Sequence, residues 1–388
     1  MRSYRTILSL AGVLMVAGIL PQATAQQRKM VQPKTMQVQP KAMQMQPQTL
    51  QNIKSIPRIG LHSTSVNYQV LEQRAPQNIK VHLNTLRSDL KTGKIELLGR
   101  TPTFEIGATK VINIPIAKLT GLKPPSNLDA LKRAQNVKAK QLITKKLPVE
   151  KLTPQQKLVI KKPINIKLLV PDCKADATFF DWRLKGKVTS VKNQGSCGSC
   201  WAFATLGAYE SAYLIRYNKT GNAIDSSEQE VLSCSGQGTC GGGWWAFNHL
   251  LILGGQGTAK ESSFPYLAVD APCIGGVSRP YHALVWNYVL LSGVIPPVPV
   301  MKAALCQRGP LAVAVRVTNS FRAYTGGVFN ENSTGKVNHA VTLVGWDDSK
   351  GAWLIKNSWG TGWGINGYMW IKYNANKIGH SAAWVGSL

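Results

Sequence analysis

The apolar and polar positions of this 388-residue chain form patterns that change along its length. Near the N-terminus, Arg2 and Arg5 precede an apolar run over 7–20, and the small residues of 23–25 follow it. This order is typical of a secretory signal peptide cleaved after Ala25, because the run is too short to cross a bilayer. We therefore expect residues 1–25 to be a signal peptide.

Residues 26–55 are rich in Gln, Pro and Met and contain three seven-residue repeats between 31 and 51. A period of seven favours a coiled coil, but each repeat carries a proline, which removes a helix hydrogen bond and clashes with the preceding turn. We expect a disordered spacer here.

Residues 56–172 are rich in lysine and poor in acids. Up to Asp172 the chain has 28 Lys and Arg against 7 Asp and Glu, whereas the remainder has 18 against 11. The pattern predicts extended pieces at 94–100 and 109–116, and a helix over 126–143 with Ser126 as cap and Asp129 at the capping-box position. An alternating segment, 164–170, is predicted to be an extended arm.

The last part, 173–388, changes from helical to strand periodicity. Helices are predicted from Cys200 through Leu214, from Ser227 with Glu230 as its capping partner, and over 244–253. Strands are predicted within 309–317, 338–348, 351–360 and 367–373. This order indicates an α+β fold with two lobes and a cleft between them.

Cysteine chemistry is indicated at the start of the first of these helices. Free backbone N–H groups and the helix dipole favour a thiolate at Cys200. His339 can take the thiol proton, and the side-chain carbonyl of Asn357 can hold the other ring nitrogen. Gln194 can donate to the developing oxyanion together with the Cys200 N–H, while Trp359 can shield the His339–Asn357 bond.

Five blocks, NQGSCGSCWAFA, SSEQEVLSC, CGGGWWAF, NHAVTLVGW and KNSWGTGWGINGYMWI, resemble the papain family of cysteine peptidases. The resemblance covers about 180 to the C-terminus. It implies a papain-like fold, with a helical lobe and an antiparallel β-barrel-like lobe, in a catalytic domain at 173–388. It also implies Cys200 as nucleophile, His339 as acid and base, Asn357 as orienting residue and Gln194 in the oxyanion hole.

The same resemblance implies two disulfides, Cys197–Cys240 and Cys234–Cys273. Cys173 and Cys306 remain, and we expect them to pair, because the start of the mature chain in this fold crosses onto the second lobe. Two free buried thiols are the alternative. The CxxC at 197–200 also permits a redox motif or half a zinc site, but no second ligand pair lies at suitable spacing, so we expect no metal and no cofactor.

The resemblance also implies the residues that select substrate. Gly242 and Gly243 would let an extended peptide bond to the backbone. The pocket for the side chain second from the scissile bond would be lined by Trp244, Trp245, Ala314, Val337 and Ala340, with Trp359 beside the catalytic histidine. Such a wall favours an apolar side chain. Alternatively, Trp245 and Ala314 belong to the ordinary core.

The expected function is therefore a cysteine endopeptidase that forms a thioester on Cys200, made as a zymogen and acting on a protein or peptide. Residues 56–172 would be a propeptide or an accessory module that contacts an anionic envelope or polyanion. A catalytically silent papain-like binding protein and a transferase that uses the same thioester are the alternatives.

We expect a secreted protein, periplasmic or extracellular, with an export signal of bacterial style. No stretch after the signal predicts a transmembrane segment. No motif predicts sequence-specific nucleic-acid binding.

Overall fold

A computed structural model describes residues 66–144, 173–291 and 295–387, all within one compact unit that begins at His62. The predicted signal peptide, the repeats and the arm at 164–170 lie outside the described residues. Among the described residues, no helix is long and apolar enough to cross a membrane.

A nine-stranded sheet forms the strand-rich part of the molecule. The strands are β1 Phe104–Ile106, β2 Phe179–Asp181, β5 Ala283–Tyr288, β6 Leu311–Val315, β7 Tyr324–Phe329, β8 His339–Asp347, β9 Ala352–Lys356, β10 Tyr368–Lys372 and β11 His380–Ser387. Their order in the sheet is β1, β7, β10, β9, β8, β6, β11, β5, and β2 pairs with β8 outside this order. Neighbours are antiparallel except β10 with β7. A separate small ribbon pairs β3 Gly238–Thr239 with β4 Gly242–Gly243.

The predicted strands are confirmed as β6, β8, β9 and β10. Every residue of β6, β8 and β9 is buried, because helices and neighbouring strands cover both of their faces. This rigid centre carries His339 at the first position of β8.

The helices are α1 Tyr68–Gln73, α2 Gln77–Lys91, α3 Ile116–Leu119, α4 Leu128–Thr144, α5 Cys200–Arg216, α6 Glu228–Cys234, α7 Phe247–Leu250, α8 Val298–Arg308 and α9 Asn319–Arg322. The helix predicted from Cys200 is confirmed as α5. The start predicted at Ser227 is also confirmed, since its side chain accepts from the Glu230 N–H at 2.9 Å. The helix predicted over 126–143 is α4, which begins two residues after Ser126.

Two predicted elements are wrong, and a third is extended only in part. Within 94–100, Leu97 makes an antiparallel bridge to Glu331 with a backbone hydrogen bond on each side. In the piece predicted at 109–116, residues 110–113 are instead a turn that leads into α3. The helix predicted over 244–253 is only the one turn of α7. It ends because Leu251 turns to extended backbone and bridges to Ala283.

Helix α2 was not predicted, although its sequence carries the signal. Ile79, Leu83, Leu86 and Leu90 recur at helical spacing and are all buried. The first three pack in a small apolar cluster with Ala108, Ile112 and Ala323, whereas Leu90 belongs to the large core, so α2 lies against the catalytic part.

Three disulfides join the predicted pairs: Cys173–Cys306, Cys197–Cys240 and Cys234–Cys273. The first ties the start of the catalytic part to α8. Cys200 is the free cysteine, and it is buried.

Candidate active site

Cys200 is the first residue of α5, directly after Ser199, whose side chain does not cap the helix. Burial raises the pKa of the Cys200 thiol to about 12, against the opposing effect of backbone N–H groups of Ala340, Gly121, Trp201 and Cys200 itself. The sequence predicted a thiolate from the helix start alone. In the covered cleft, the loss of hydration acts against those N–H groups and favours the thiol.

His339 and Asn357 are brought together by two adjacent strands, β8 and β9. His339 Nε2 lies 2.8 Å from Asn357 Oδ1. Because an amide oxygen can only accept, Nε2 carries the proton and Nδ1 keeps its lone pair. Nδ1 is buried and has no hydrogen-bond partner among the described residues. The imidazole can therefore receive a proton at Nδ1.

The His339 ring is shielded on one side by Trp359, whose ring centre lies 4.8 Å away. Burial lowers the pKa of His339 to about 4, although the Asn357 bond acts in the opposite direction. The backbone N–H of Ala340, the next residue in the chain, acts on the Cys200 sulfur. The chain thus brings the residue after His339 against the nucleophile, and burial favours the uncharged form of both groups.

Gln194 is fully buried and its amide is oriented from both ends. Its Oε1 accepts from the Ser358 hydroxyl at 2.7 Å, and its Nε2 donates to the Cys197 carbonyl at 2.8 Å. Nε2 also donates to the Leu119 carbonyl at 3.1 Å, and Trp359 Nε1 donates to the same oxygen at 3.3 Å. A carbonyl oxygen of the N-terminal region thus accepts a hydrogen bond from the Gln194 amide, the group predicted to donate to the oxyanion.

Residues 119–123 continue along the cleft through main-chain contacts. Gly121 and Leu122 donate from their N–H groups to the Asn338 carbonyl at 3.0 and 2.9 Å. Gly243 donates to the Gly121 carbonyl at 2.8 Å and accepts from the Lys123 N–H at 2.9 Å. This pattern makes a parallel bridge between Leu122 and Gly243. Sequence reasoning missed this segment.

Most residues of the predicted pocket share one apolar cluster with Leu122: Trp244, Trp245, Ala314, Val337 and Ala340. Ala383 of β11 belongs to the same cluster and was not predicted. Trp245 is 1% exposed and donates to the Ser381 carbonyl, as a core residue would. Trp244 donates to the Tyr288 hydroxyl at 2.9 Å. Gly242 and Gly243 form β4, and Trp359 contacts His339 instead of the pocket.

A cavity of about 20 Å³ lies behind Asn357 and is lined by Lys192, Glu210, Glu228 and Lys356. Burial raises the pKa of Glu228 to about 8 and lowers that of Lys356 to about 8. Lys192 lies 2.9 Å from Glu228 and 3.4 Å from Glu210, so one ammonium group is within ion-pair distance of both carboxyl groups beneath the site. Among the described residues, no group of His, Cys, Asp or Glu could hold a metal ion.

The family profile described as "Papain family cysteine protease" matches residues 177–386, more than half of the chain. Ananain of Ananas comosus is 39% identical over 193 residues, which cover 49% of this chain and 54% of ananain. Cathepsin J of Rattus norvegicus is 40% identical over 215 residues, which cover 51% of this chain and 61% of that protein. This chain thus matches about half to three fifths of the length of these curated relatives.

Two solved precursor structures match more than the catalytic part. The digestive procathepsin L2 proteinase from Tenebrio molitor larval midgut has a TM-score of 0.58 and 27% identity, and the match covers 84% of this chain and 95% of that one. The recombinant stem bromelain precursor has a TM-score of 0.55 and 25% identity, and covers 82% of this chain and 92% of its own. The α+β papain-like fold is thereby confirmed, and this chain belongs to the papain family of cysteine proteases.

Proposed function

We propose that this protein is a cysteine endopeptidase synthesised as a latent precursor, in which residues 119–123 block the cleft. The observation that carries the proposal is the Leu119 carbonyl bound to Gln194 Nε2, at a site that also holds Cys200, His339 and Asn357.

In the open enzyme, His339 Nδ1 removes the thiol proton, and the Cys200 sulfur attacks the scissile carbonyl carbon. Gln194 Nε2 and the Cys200 N–H stabilise the oxyanion. The imidazolium then returns its proton to the departing amine, which leaves a thioester. Water, deprotonated by His339, attacks the thioester and releases the carboxylic acid and the thiol. Asn357 holds the ring in the required tautomer throughout.

Residues 119–123 are not cleaved in place because they run in the inverted direction. In a substrate, the residue in the pocket precedes the carbonyl that meets the oxyanion donors. Here Leu122 is in the pocket cluster, whereas the carbonyl on Gln194 belongs to Leu119, three residues earlier. The parallel bridge between Leu122 and Gly243 agrees with this direction, because a chain that ran the other way, as a substrate does, would pair antiparallel with Gly243. Residues 56–172 would then be a propeptide.

The substrate preference that we propose is an apolar side chain second from the scissile bond. Leu122 is 4% exposed and shares its cluster with Trp244, Ala314 and Val337. These walls offer no carboxylate to pair with a basic side chain. A buried leucine gains about 1.5–3 kcal/mol from such a site, whereas an unpaired charge loses more.

We also propose that the protein is secreted, into a periplasm or outside the cell. The three disulfides support an oxidising compartment. The relatives named above come from a plant and an animal, so bacterial origin stays a prediction from the signal alone.

Contact of residues 56–172 with a polyanion is a second proposal for this region. A cavity of about 490 Å³ on it is lined by Arg87, Lys91 and Arg100 over an apolar floor of Leu90 and Phe104. Arg87 is paired with Glu72 at 2.7 Å. Lys91 and Arg100 remain to attract an anion, against the one carboxylate of Glu105 in the same lining.

The test of peptidase function uses the full-length chain and its Cys200→Ala variant, incubated across a pH series. We expect the wild type to develop a new N-terminus before Cys173 and the variant to stay intact. The processed protein should bind a cysteine-directed epoxide at Cys200 and cleave peptides with Leu at the second position far faster than peptides with Arg there. Processed protein that neither binds the epoxide nor cleaves any peptide would identify a silent binding protein instead.

A further inference from the structure

Tyr266 lies beside the loop that carries both of the proposed oxyanion donors. Its hydroxyl donates to the Gln194 carbonyl at 3.0 Å and lies 2.6 Å from the Ser199 hydroxyl. Gln194 supplies the side-chain donor, and Ser199 directly precedes Cys200, whose N–H is the second donor. One hydroxyl thus bridges the two ends of the loop 194–200.

The chemistry of the three groups fixes the direction of these hydrogen bonds. A carbonyl oxygen can only accept, so Tyr266 donates its one hydroxyl proton to Gln194, and Ser199 must then donate to Tyr266. The Cys197 carbonyl lies 3.5 Å from the Ser199 hydroxyl, which is too far to compete. Burial raises the pKa of Tyr266, so the phenol keeps this proton at neutral pH.

Both partners of the Tyr266 hydroxyl are inside the protein. Gln194 and Ser199 are each 0% exposed. A buried polar group that loses its partner costs free energy until the surrounding chain moves to supply another. The Ser358 hydroxyl orients the Gln194 side chain, whereas Tyr266 holds the Gln194 main chain. Loss of the Tyr266 hydroxyl would therefore displace the backbone that carries the side-chain donor.

Tyr266 is itself held firmly by its neighbours. Its N–H donates to Glu261 Oε1 at 2.7 Å, and its ring meets the Phe203 ring edge to face, with the centres 4.8 Å apart. The next residue, Leu267, donates from its N–H to Gln229 Oε1 of α6 at 2.8 Å. The hydroxyl is thus presented from a fixed support.

The loop 264–270 also supports the loop 194–200 indirectly. Asp270 Oδ1 accepts from the Cys240 N–H at 2.6 Å, and Cys240 is joined by a disulfide to Cys197. A Cβ at Gly195 would lie 3.4 Å from the Ala268 Cβ, so the two loops are also in close approach between these points. The position of 194–200 therefore depends on 264–270.

The distance between two oxyanion donors matters because both must reach the same oxygen, at about 2.7–3.1 Å from each. In the precursor, Gln194 Nε2 already donates towards the cleft, to the Leu119 carbonyl. We propose that Tyr266 is a positioning residue for the oxyanion hole, which sets the separation of the Gln194 amide and the Cys200 N–H. This inference rests on the proposed function, because the oxyanion forms only during acyl transfer. Tyr266 lies outside all five motif blocks of the sequence.

The experiment uses Tyr266→Phe, processed from the full-length chain, which keeps the ring against Phe203 and removes the hydroxyl. We expect kcat to fall about tenfold with little change in KM, less than the 10²–10³-fold loss on removal of a whole donor. Each kcat is expressed per site titrated by a cysteine-directed epoxide, so an unfolded fraction cannot imitate the loss. Alkylation of Cys200 by iodoacetamide forms no oxyanion, so its rate should stay near that of the wild type.

A second background shows whether Tyr266 acts through the pair of donors. In Gln194→Ala, only one donor remains and there is no separation left to set, so adding Tyr266→Phe should have little further effect on kcat. The matched control is Tyr209→Phe. Tyr209 also donates to a backbone carbonyl at 3.0 Å, that of His282, and belongs to the apolar cluster against which Tyr266 packs. Its kcat should stay near that of the wild type.

The inference is refuted if Tyr266→Phe keeps the wild-type kcat, or if its alkylation rate falls in the same proportion as kcat. An equal loss of kcat in the wild-type and Gln194→Ala backgrounds, or in Tyr209→Phe, would also refute it, since a general loss of stability would then be the cause. A processed wild type that hydrolyses no peptide would overturn both proposals. An active wild type with any of the preceding results would overturn this inference alone.

Discussion

The Cys200 sulfur receives N–H groups from the first turn of α5, and these groups favour the anion. In the covered site, burial nevertheless raises the pKa of Cys200 to about 12 and lowers that of His339 to about 4. Burial therefore favours the thiol and the neutral imidazole over the charged pair in the covered site. We expect release of residues 119–123 to readmit water and to favour the thiolate–imidazolium pair.

At the residue scale, Gln194→Ala tests the oxyanion donor in the processed protein. We expect kcat to fall about 10²–10³-fold with little change in KM, because the lost hydrogen bond strengthens only as charge develops on the carbonyl oxygen. Ser358→Ala is the matched control, since it removes the hydroxyl that orients Gln194 Oε1 but leaves the donor, and it should cost less. Equal kcat in Gln194→Ala and wild type would remove Gln194 from the mechanism.

At the element scale, the blocking segment is held through its backbone and depends on one glycine. A Cβ at Gly121 would lie 1.8 Å from the Gly198 carbonyl oxygen, so no side chain fits at this crossing. Beyond it, α4 lies against the edge strand β5, where Gln135 donates to the Trp286 carbonyl at 2.7 Å. The segment is thus anchored after the cleft by β5.

The corresponding prediction concerns Gly121→Ala in the full-length chain. The added methyl group should displace residues 119–123, so that Cys200 of the uncleaved precursor reacts with a cysteine-directed epoxide, seen as an adduct on the intact mass. Gly275→Ala is the control, because a Cβ there meets nothing within 4 Å. An unreactive Gly121→Ala precursor would contradict the assignment of 119–123 as the block.

At the scale of the whole molecule, the charge and the cross-links are distributed unevenly. The chain up to Asp172 carries 21 of the 28 net positive charges, whereas all three disulfides lie beyond it. No disulfide thus joins the N-terminal region to the catalytic part, so a cut between the two would be enough to separate them, as the proposed propeptide requires. Cys173–Cys306 closes a separation of 133 residues and fixes the point where the catalytic part begins.

Loss of this disulfide should destabilise the catalytic part without touching the site. We expect the Cys173→Ser, Cys306→Ser double variant to lose about 2–5 kcal/mol of unfolding free energy in denaturant titration, because a long loop regains its freedom in the unfolded chain. The kcat of the processed variant should stay near that of the wild type. A stability equal to the wild type would mean that the bridge contributes nothing in solution.

The sequence by itself determined the family, the candidate catalytic residues and the elements that present them. Cys200, His339 and Asn357 stand in motifs whose local patterns are strong: an apolar helix for α5 and buried strands for β8 and β9. Such patterns arise because burial imposes a period on side chains. Helix α2 carried the same kind of signal in Ile79, Leu83, Leu86 and Leu90, and it could have been predicted.

Only the tertiary structure decided which segment covers the site and in which direction burial shifts the pKa values of Cys200 and His339. Residues 119–123 bind mainly through backbone N–H and C=O groups, which nearly all residue types share, so no pattern of side chains predicts this segment. The Tyr266–Gln194 contact joins positions 72 residues apart and likewise leaves no local period. Burial shifts Cys200 and His339 towards their neutral forms, and burial is a property of the folded molecule alone.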